Sequence, residues 1–221
     1  MARTEYQEQL DELRSNVVAM GELVIDRYDA ALTALEAKNE SLAREVIEGD
    51  GDVNESYLAL EGDCIDLFAL QQPVASDLRF VASSFKIITD LERIADLAVN
   101  VAEYAIAAER ERYPEIDLAH IGTETGAMLA EAVAAYEAGD AELAAEIADR
   151  DDAVDRLCSD ASNAIVEDLI RTEYDDDPAE LMDDVSRLLL TVRDLERVGD
   201  HAVNVCARTV YMTDHDTELL Y

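Results

Sequence analysis

The fold is decided by a repeated stretch, Asp90-Leu-Glu-Arg-Ile-Ala-Asp-Leu-Ala-Val-Asn-Val101, which returns 104 residues later as Asp194-Leu-Glu-Arg-Val-Gly-Asp-His-Ala-Val-Asn-Val205. Nine of the twelve positions are identical. Earlier in the chain, Ala31–Ala37 and Ala132–Ala138 match at an offset of 101 residues. A repeat of this length indicates that one structural unit has been duplicated. We therefore predict a tandem duplication of a three-helix bundle, the first bundle over residues 1–113 and the second over 114–221.

Apolar residues recur at helical spacing along the whole chain, and no sustained strand alternation interrupts them. The pattern predicts an all-α fold of six helices over residues 5–38, 41–70, 76–110, 117–138, 140–171 and 178–212. Asp177 followed by Pro178 is a favourable helix start, because aspartate caps the first amides and proline suits the first turn. Gly49 and Gly51 are the weak point of the second helix and could break it.

The excess of acidic over basic residues excludes some classes of binding partner. The 221 residues include 52 Asp and Glu against 17 Lys and Arg, a net charge of −35. This argues against binding to nucleic acid or to an anionic membrane, since both require clustered basic residues. Lysine occurs only at Lys38 and Lys86. A carboxylate-rich surface with almost no lysine favours a protein from a halophile over an ordinary acidic cytosolic protein, because concentrated salt screens the repulsion.

The N-terminal sequence has no apolar core of a signal peptide, and no long uncharged apolar segment predicts membrane insertion. The three cysteines, Cys64, Cys158 and Cys206, lie far apart and form no metal-binding spacing. They are expected to be reduced, buried thiols. These features predict a cytoplasmic protein.

The repeated motif carries a carboxylate pair four residues apart, Glu92 with Asp96 and Glu196 with Asp200. Acidic pairs are common by chance in this chain, but their repetition inside the best-matched segment singles them out. The preceding helix offers oxygen ligands at the same spacing, namely Asp50, Asn54, Asp151 and Asp155. Together they predict an oxygen-rich metal site in each bundle, suited to Mg²⁺, Mn²⁺, Ca²⁺ or iron. The alternative is a solvated acidic rim paired with Arg93 and Arg197.

Two other interpretations of the acidic residues are disfavoured. The run Asp50-Gly-Asp-Val-Asn54 resembles the start of an EF-hand loop, but Glu55 stands where that loop requires glycine. A ferritin-like di-iron site needs Glu-x-x-His, which does not occur in the sequence.

The histidines His120, His201 and His215 are scattered, and no nucleophile or phosphate-loop motif is present. The sequence therefore predicts a protein without enzymatic activity.

The duplicated motif, together with Gln72-Pro-Val-Ala-Ser-Asp-Leu-Arg79, resembles the PhoU family of phosphate-uptake regulators, the accessory proteins of the phosphate-specific transport system. The resemblance implies two three-helix bundles in line, each with a multinuclear metal cluster on its surface. It assigns the ligands to Asp50, Glu92, Asp96, Asp151, Asp155, Glu196 and Asp200. Asn54 departs from the acidic pattern. We expect the metal to be iron, zinc or magnesium.

The same resemblance implies negative regulation of phosphate uptake through the ATPase subunit of the phosphate transporter and, in many bacteria, a sensor kinase. We also expect a homodimer, because amphipathic bundles of this length often dimerise. Two alternatives stay open at this point. One is a metal-storage or metal-buffering carboxylate bundle, and the other is the accessory protein of a low-affinity phosphate carrier.

Overall fold

The computed structural model describes residues 3–70, 74–107, 116–171 and 177–220. These ranges are almost entirely helical, which confirms the all-α fold class. The elements are α1 (Arg3–Ala37), α2 (Glu40–Glu48), α3 (Asp50–Leu70), α4 (Ala75–Ala107), α5 (Leu118–Ala138), α6 (Ala141–Ala148), α7 (Asp151–Arg171), α8 (Pro178–Asp214) and a final 3-10 turn (Glu218–Leu220). The predicted bundle boundary between residues 113 and 114, like residues Gln72 and Pro73, lies outside the described residues.

Two of the six predicted helices are interrupted at matching places in the repeats. Gly49 separates α2 from α3, as its sequence position suggested. The guanidinium of Arg27 occupies the space beside Gly49, where an added Cβ would collide with Nη1. The break between α6 and α7, at Asp149 and Arg150, was not predicted. There Arg150 reaches back to Glu131 of α5 at 2.8 Å.

Each break has the same consequence for the acidic residues. Asp50 becomes the first residue of α3, and Asp151 becomes the first residue of α7. A carboxylate in the first helical turn is stabilised by the exposed backbone amides and by the helix dipole. The breaks therefore place one predicted ligand of each repeat at the start of a new helix.

The two units pack side by side through their long helices: α1 packs against α4 and α5, and α8 packs against α4 and α5. The buried apolar side chains form one cluster that spans both units. Buried hydrogen bonds cross between the units, among them two pairs of hydroxyl groups. The hydroxyls of Tyr28 and Thr125 lie 2.7 Å apart, and those of Ser84 and Tyr136 also lie 2.7 Å apart. The shorter helices α2, α3, α6 and α7 lie on this four-helix centre.

Local signals in the sequence are confirmed at several helix ends. Asp177 accepts a hydrogen bond from the Ala179 amide, with Pro178 at the first helical position. Gly139 ends α5 in the left-handed conformation (φ 64°). The EF-hand alternative is excluded, because Asp50–Leu70 is a continuous helix and not a loop. Within the described ranges, no helix is long and apolar enough to cross a membrane.

Like-charge repulsion across this fold predicts that stability depends strongly on salt. Burial and the neighbouring Glu12 and Asp66 raise the pKa of Asp63, so carboxylates of α1 and α3 already oppose one another. With a net charge of −35, screening should raise the thermal midpoint by about 15 °C or more between about 0.1 M and 3 M KCl. Calorimetry across that range measures the effect.

The same calorimetry across the KCl range, repeated near pH 4, is the control for this prediction. Protonation of carboxylates removes part of the repulsion, so the salt effect should shrink there. A midpoint that stays flat in KCl at neutral pH contradicts the expectation of a halophilic protein.

Candidate metal centre

The carboxylates of the second repeat assemble into one cluster. Asp151 and Asp155 lie one turn apart on α7, and Asp200 faces them from α8. One oxygen from each of these three lies within 4.8 Å of the others. Glu196, one turn before Asp200, contributes a fourth charge that acts on Asp151. The structure thus brings together the four residues predicted from the second copy.

Burial and mutual repulsion perturb this cluster. They raise the pKa of Asp151 to about 6, with Asp155 and Asp200 the largest of the like charges. Burial and the Asp155 carboxylate also raise the pKa values of Glu196 and Asp200. Because the folded-state pKa of Asp151 lies above its unfolded value, ionising this carboxyl destabilises the fold as the pH rises from about 4 to about 6. A bound cation would remove that cost.

One atom of the cluster lacks any partner. The Oδ1 atom of Asp151 is buried and accepts no hydrogen bond. A buried, unpaired carboxylate oxygen is costly, and its usual explanation is an ion or an ordered water. The donor set consists of carboxylate oxygens, since the three side chains that converge are all aspartates. These residues fit a hard cation.

The first repeat is arranged differently. The side-chain amide of Asn54 donates to Asp50 Oδ2 at 2.7 Å, so one carboxylate oxygen is already engaged. Burial, Asp96 and Asp50 raise the pKa of Glu92, and burial and Asp50 raise the pKa of Asp96. No three acidic side chains of this repeat approach within 4.8 Å in the part of the chain that is described. Asp50, Glu92 and Asp96 are neighbours, but they form a looser site.

The sequence analysis missed what the two ends of the repeated motif do. The buried carboxylate of Asp194 accepts hydrogen bonds from Asn100 Nδ2 and from the Tyr104 hydroxyl, both at 3.1 Å. In the other direction, Asp90 accepts from Asn204 Nδ2 at 3.1 Å and lies 2.9 Å from His201 Nδ1. The first residue of each motif therefore binds the asparagine of the other motif.

These reciprocal hydrogen bonds hold α4 antiparallel to α8 and set the register between the two helices. We call the four residues Asp90, Asn100, Asp194 and Asn204 the inter-repeat latch. The signal that could have revealed it was in the sequence: both Asp and both Asn are 104 residues apart. A buried carboxylate needs a partner, and the paired repeat supplies one. The motif thus combines latch residues at its ends with metal-ligand candidates at its third and seventh positions.

Comparison with known proteins decides the family. The PhoU domain model matches residues 17–105 and again residues 118–209. The chain belongs to the PhoU family. A PhoU homolog of Pseudomonas putida, described as a phosphate-specific transport system accessory protein, is 35% identical over 214 residues, covering 94% of this chain and 80% of its own length.

Solved PhoU structures share the fold. The crystal structure of PhoU from Pseudomonas aeruginosa superimposes with a TM-score of 0.89 at 32% identity, over 96% of this chain and 100% of that one. The phosphate transport system regulatory protein PhoU from Streptococcus pneumoniae gives a TM-score of 0.87 at 29% identity, over 96% and 98%. The PhoU-like duplication of a three-helix bundle is therefore confirmed.

Proposed function

We propose that this PhoU protein is a non-enzymatic negative regulator of phosphate uptake that acts by binding the ATPase subunit of a phosphate transporter. The observation that carries the proposal is the match of the PhoU domain model to both repeats. The relatives that bear the PhoU name are described as accessory or regulatory proteins of phosphate transport. Binding to an ATPase subunit would place the protein in the cytoplasm. A sensor kinase and a second copy of the chain are further proposed partners.

The state of the three thiols supports a role without covalent catalysis. Cys64, Cys158 and Cys206 are all buried and free. Burial is the main reason that the pKa of each is raised to about 12. A thiol that stays protonated at neutral pH is a poor nucleophile.

Metal binding in the second repeat is part of the proposal. Asp151, Asp155, Glu196 and Asp200 would hold the ion, and the orphaned Asp151 Oδ1 supports their assignment. An all-oxygen donor set favours magnesium or iron over zinc among the expected metals. The ion would neutralise the repelling carboxylates of α7 and α8 and so stabilise the native arrangement.

This site also favours one other function, a metal-buffering bundle without a transporter partner. The two functions differ in what happens when the protein is removed. A regulator restrains phosphate import, whereas a metal buffer affects intracellular metal and leaves phosphate import unchanged.

Deleting the gene tests the regulatory proposal. In cells with plentiful phosphate, uptake should be several-fold faster in the deletion strain than in the parent. The gene restored on a plasmid should return uptake to the parental rate. Since salt screens long-range attraction, capture of the transporter ATPase by the tagged protein should be attempted at high KCl.

Each result has a definite meaning. Faster uptake together with capture of the ATPase supports the regulator. Capture of a low-affinity phosphate carrier in place of the ATPase would identify the accessory protein of that carrier. Unchanged uptake without either complex would leave the metal-buffering function.

A further inference from the structure

A groove of about 260 Å³ opens beside the first repeat's acidic residues, between the two units. Its walls include two guanidinium groups, one from each copy of the motif. The main lining residues are Asp50, Arg93, Asp96, Leu97, Asn100 and Arg197. This volume is slightly below the range of about 300–1,000 Å³ typical of drug-sized ligands. The groove therefore suits a small ion better than a nucleotide.

The two arginines retain hydrogen-bonding capacity toward the groove. Arg197 makes one long ion pair, with Asp194 at 3.5 Å. Arg93 makes no ion pair within 4.0 Å with any residue that the structure describes. A guanidinium carries five N–H donors, so both groups have donors to spare.

The charges around the groove differ from those of the second repeat. Arg93 opposes the rise in the pKa of Glu92, and Arg197 opposes the rise in the pKa of Asp96. In the second repeat no arginine has this effect on Asp151, although His201 and Arg197 oppose the rise in the pKa of Asp200. Three aspartate carboxylates converge there, so the second site suits a cation.

The first site combines both signs of charge. The Asp50 and Asp96 carboxylates line the groove with the two guanidiniums, and the Glu92 carboxylate lies close enough to both acids to feel their charges. Asn54 replaces the fourth carboxylate with a neutral amide, which donates to Asp50. A divalent cation on those carboxylates would leave one net positive charge at the groove. Guanidinium groups beside a cation are a favourable setting for an oxyanion, because charge-assisted N–H bonds match its geometry.

We propose that this groove binds a small tetrahedral oxyanion through the guanidiniums of Arg93 and Arg197, together with a divalent cation on Asp50, Glu92 and Asp96. The identification of the oxyanion as inorganic phosphate rests on the proposed function. The two repeats then have different roles, because the second holds metal alone and the first binds phosphate with metal. Because both units line the groove, bound phosphate would contact both of them, and its binding would depend on how one unit packs on the other.

Equilibrium dialysis of the purified full-length protein against radiolabelled inorganic phosphate tests the proposal, at fixed KCl with and without Mn²⁺. Wild type should bind phosphate, and binding should be stronger with Mn²⁺. Arg93→Gln and Arg197→Gln should each weaken it about tenfold, the usual effect of losing a charge-assisted contact. Lys86→Gln is the matched control, since Lys86 is exposed on the same helix as Arg93 but does not line the groove.

Several outcomes would overturn the proposal. These are the absence of phosphate binding with Mn²⁺ present, equal binding by wild type and Arg93→Gln, and loss of binding only when Asp151 or Asp200 is neutralised. Arg197 also contacts Asp194, so circular dichroism must first show that the Arg197→Gln variant is folded. If that variant unfolds, phosphate binding by the Arg93→Gln variant decides the result, because Arg93 is exposed. A failure of phosphate binding can be told apart from a failure of the regulatory proposal. The regulatory proposal is tested by the uptake rate of the deletion strain and by capture of the ATPase, and neither experiment uses an Arg93 variant.

Discussion

Asp194→Ala should destabilise the protein by about 3–5 kcal/mol, the usual cost of breaking a buried, hydrogen-bonded charge network. The Asp194 side chain is fully buried. It accepts from Asn100 and Tyr104 through one oxygen, while the guanidiniums of Arg193 and Arg197 lie 3.2 and 3.5 Å from the other. Alanine would leave the donors from α4 without an acceptor and open a space where α4 meets α8.

Calorimetry and urea titration would measure this loss. For a chain of this size the thermal midpoint should fall by about 10 °C. Asp183→Ala is the matched control, because Asp183 is exposed on the same helix, and its effect should stay within about 0.5 kcal/mol. Equal midpoints for the Asp194→Ala and Asp183→Ala proteins would show that the inter-repeat latch contributes nothing to stability.

The latch gives the duplicated motif a structural meaning. If each motif served only its own bundle, Asp90 and Asp194 would need partners within their own repeats. Their hydrogen-bond partners instead include the asparagine of the other repeat, at 3.1 Å in both directions. The same short motif therefore carries both the metal-ligand candidates and the contacts that join the units.

Much of the fold was predictable because its signals are local. Helical periodicity, the Asp177–Pro178 start and the Gly139 end depend on residues close in sequence, and the structure has them. The repeat predicted the duplicated architecture. The break at Asp149 and Arg150 was not predicted. Arg150 there pairs with Glu131 on another helix, a contact that the residues around the break do not indicate.

The site was predictable in its residues but not in its geometry. Spacing identified the carboxylates of both repeats, but only the structure shows that Asp151, Asp155 and Asp200 converge. It also shows that Arg197 of the second repeat lines the groove of the first. Contacts between residues about 100 positions apart depend on how α4 crosses α8, which periodicity along a single helix does not specify.

Neutralising Glu196 and Asp200 together should abolish metal binding in the second repeat. Glu196→Gln with Asp200→Asn removes two of the four charges that would hold the ion and keeps both side chains close to their original shape. The same change removes two of the like charges that, together with burial, raise the pKa of Asp151 to about 6. The double variant should therefore be at least as stable as wild type in chelator, yet gain no stability when metal is added.

The most direct test of the proposed metal centre is elemental analysis of protein purified without chelator, comparing wild type with this double variant. The pair Glu180→Gln with Asp183→Asn, exposed on the same helix, removes the same charge elsewhere and serves as the control. We predict that wild type and the control carry the same metal, and that Glu196→Gln with Asp200→Asn loses the second repeat's share while its helicity is unchanged. Equal metal content in all three proteins would contradict the assignment of Asp151, Asp155, Glu196 and Asp200 as ligands.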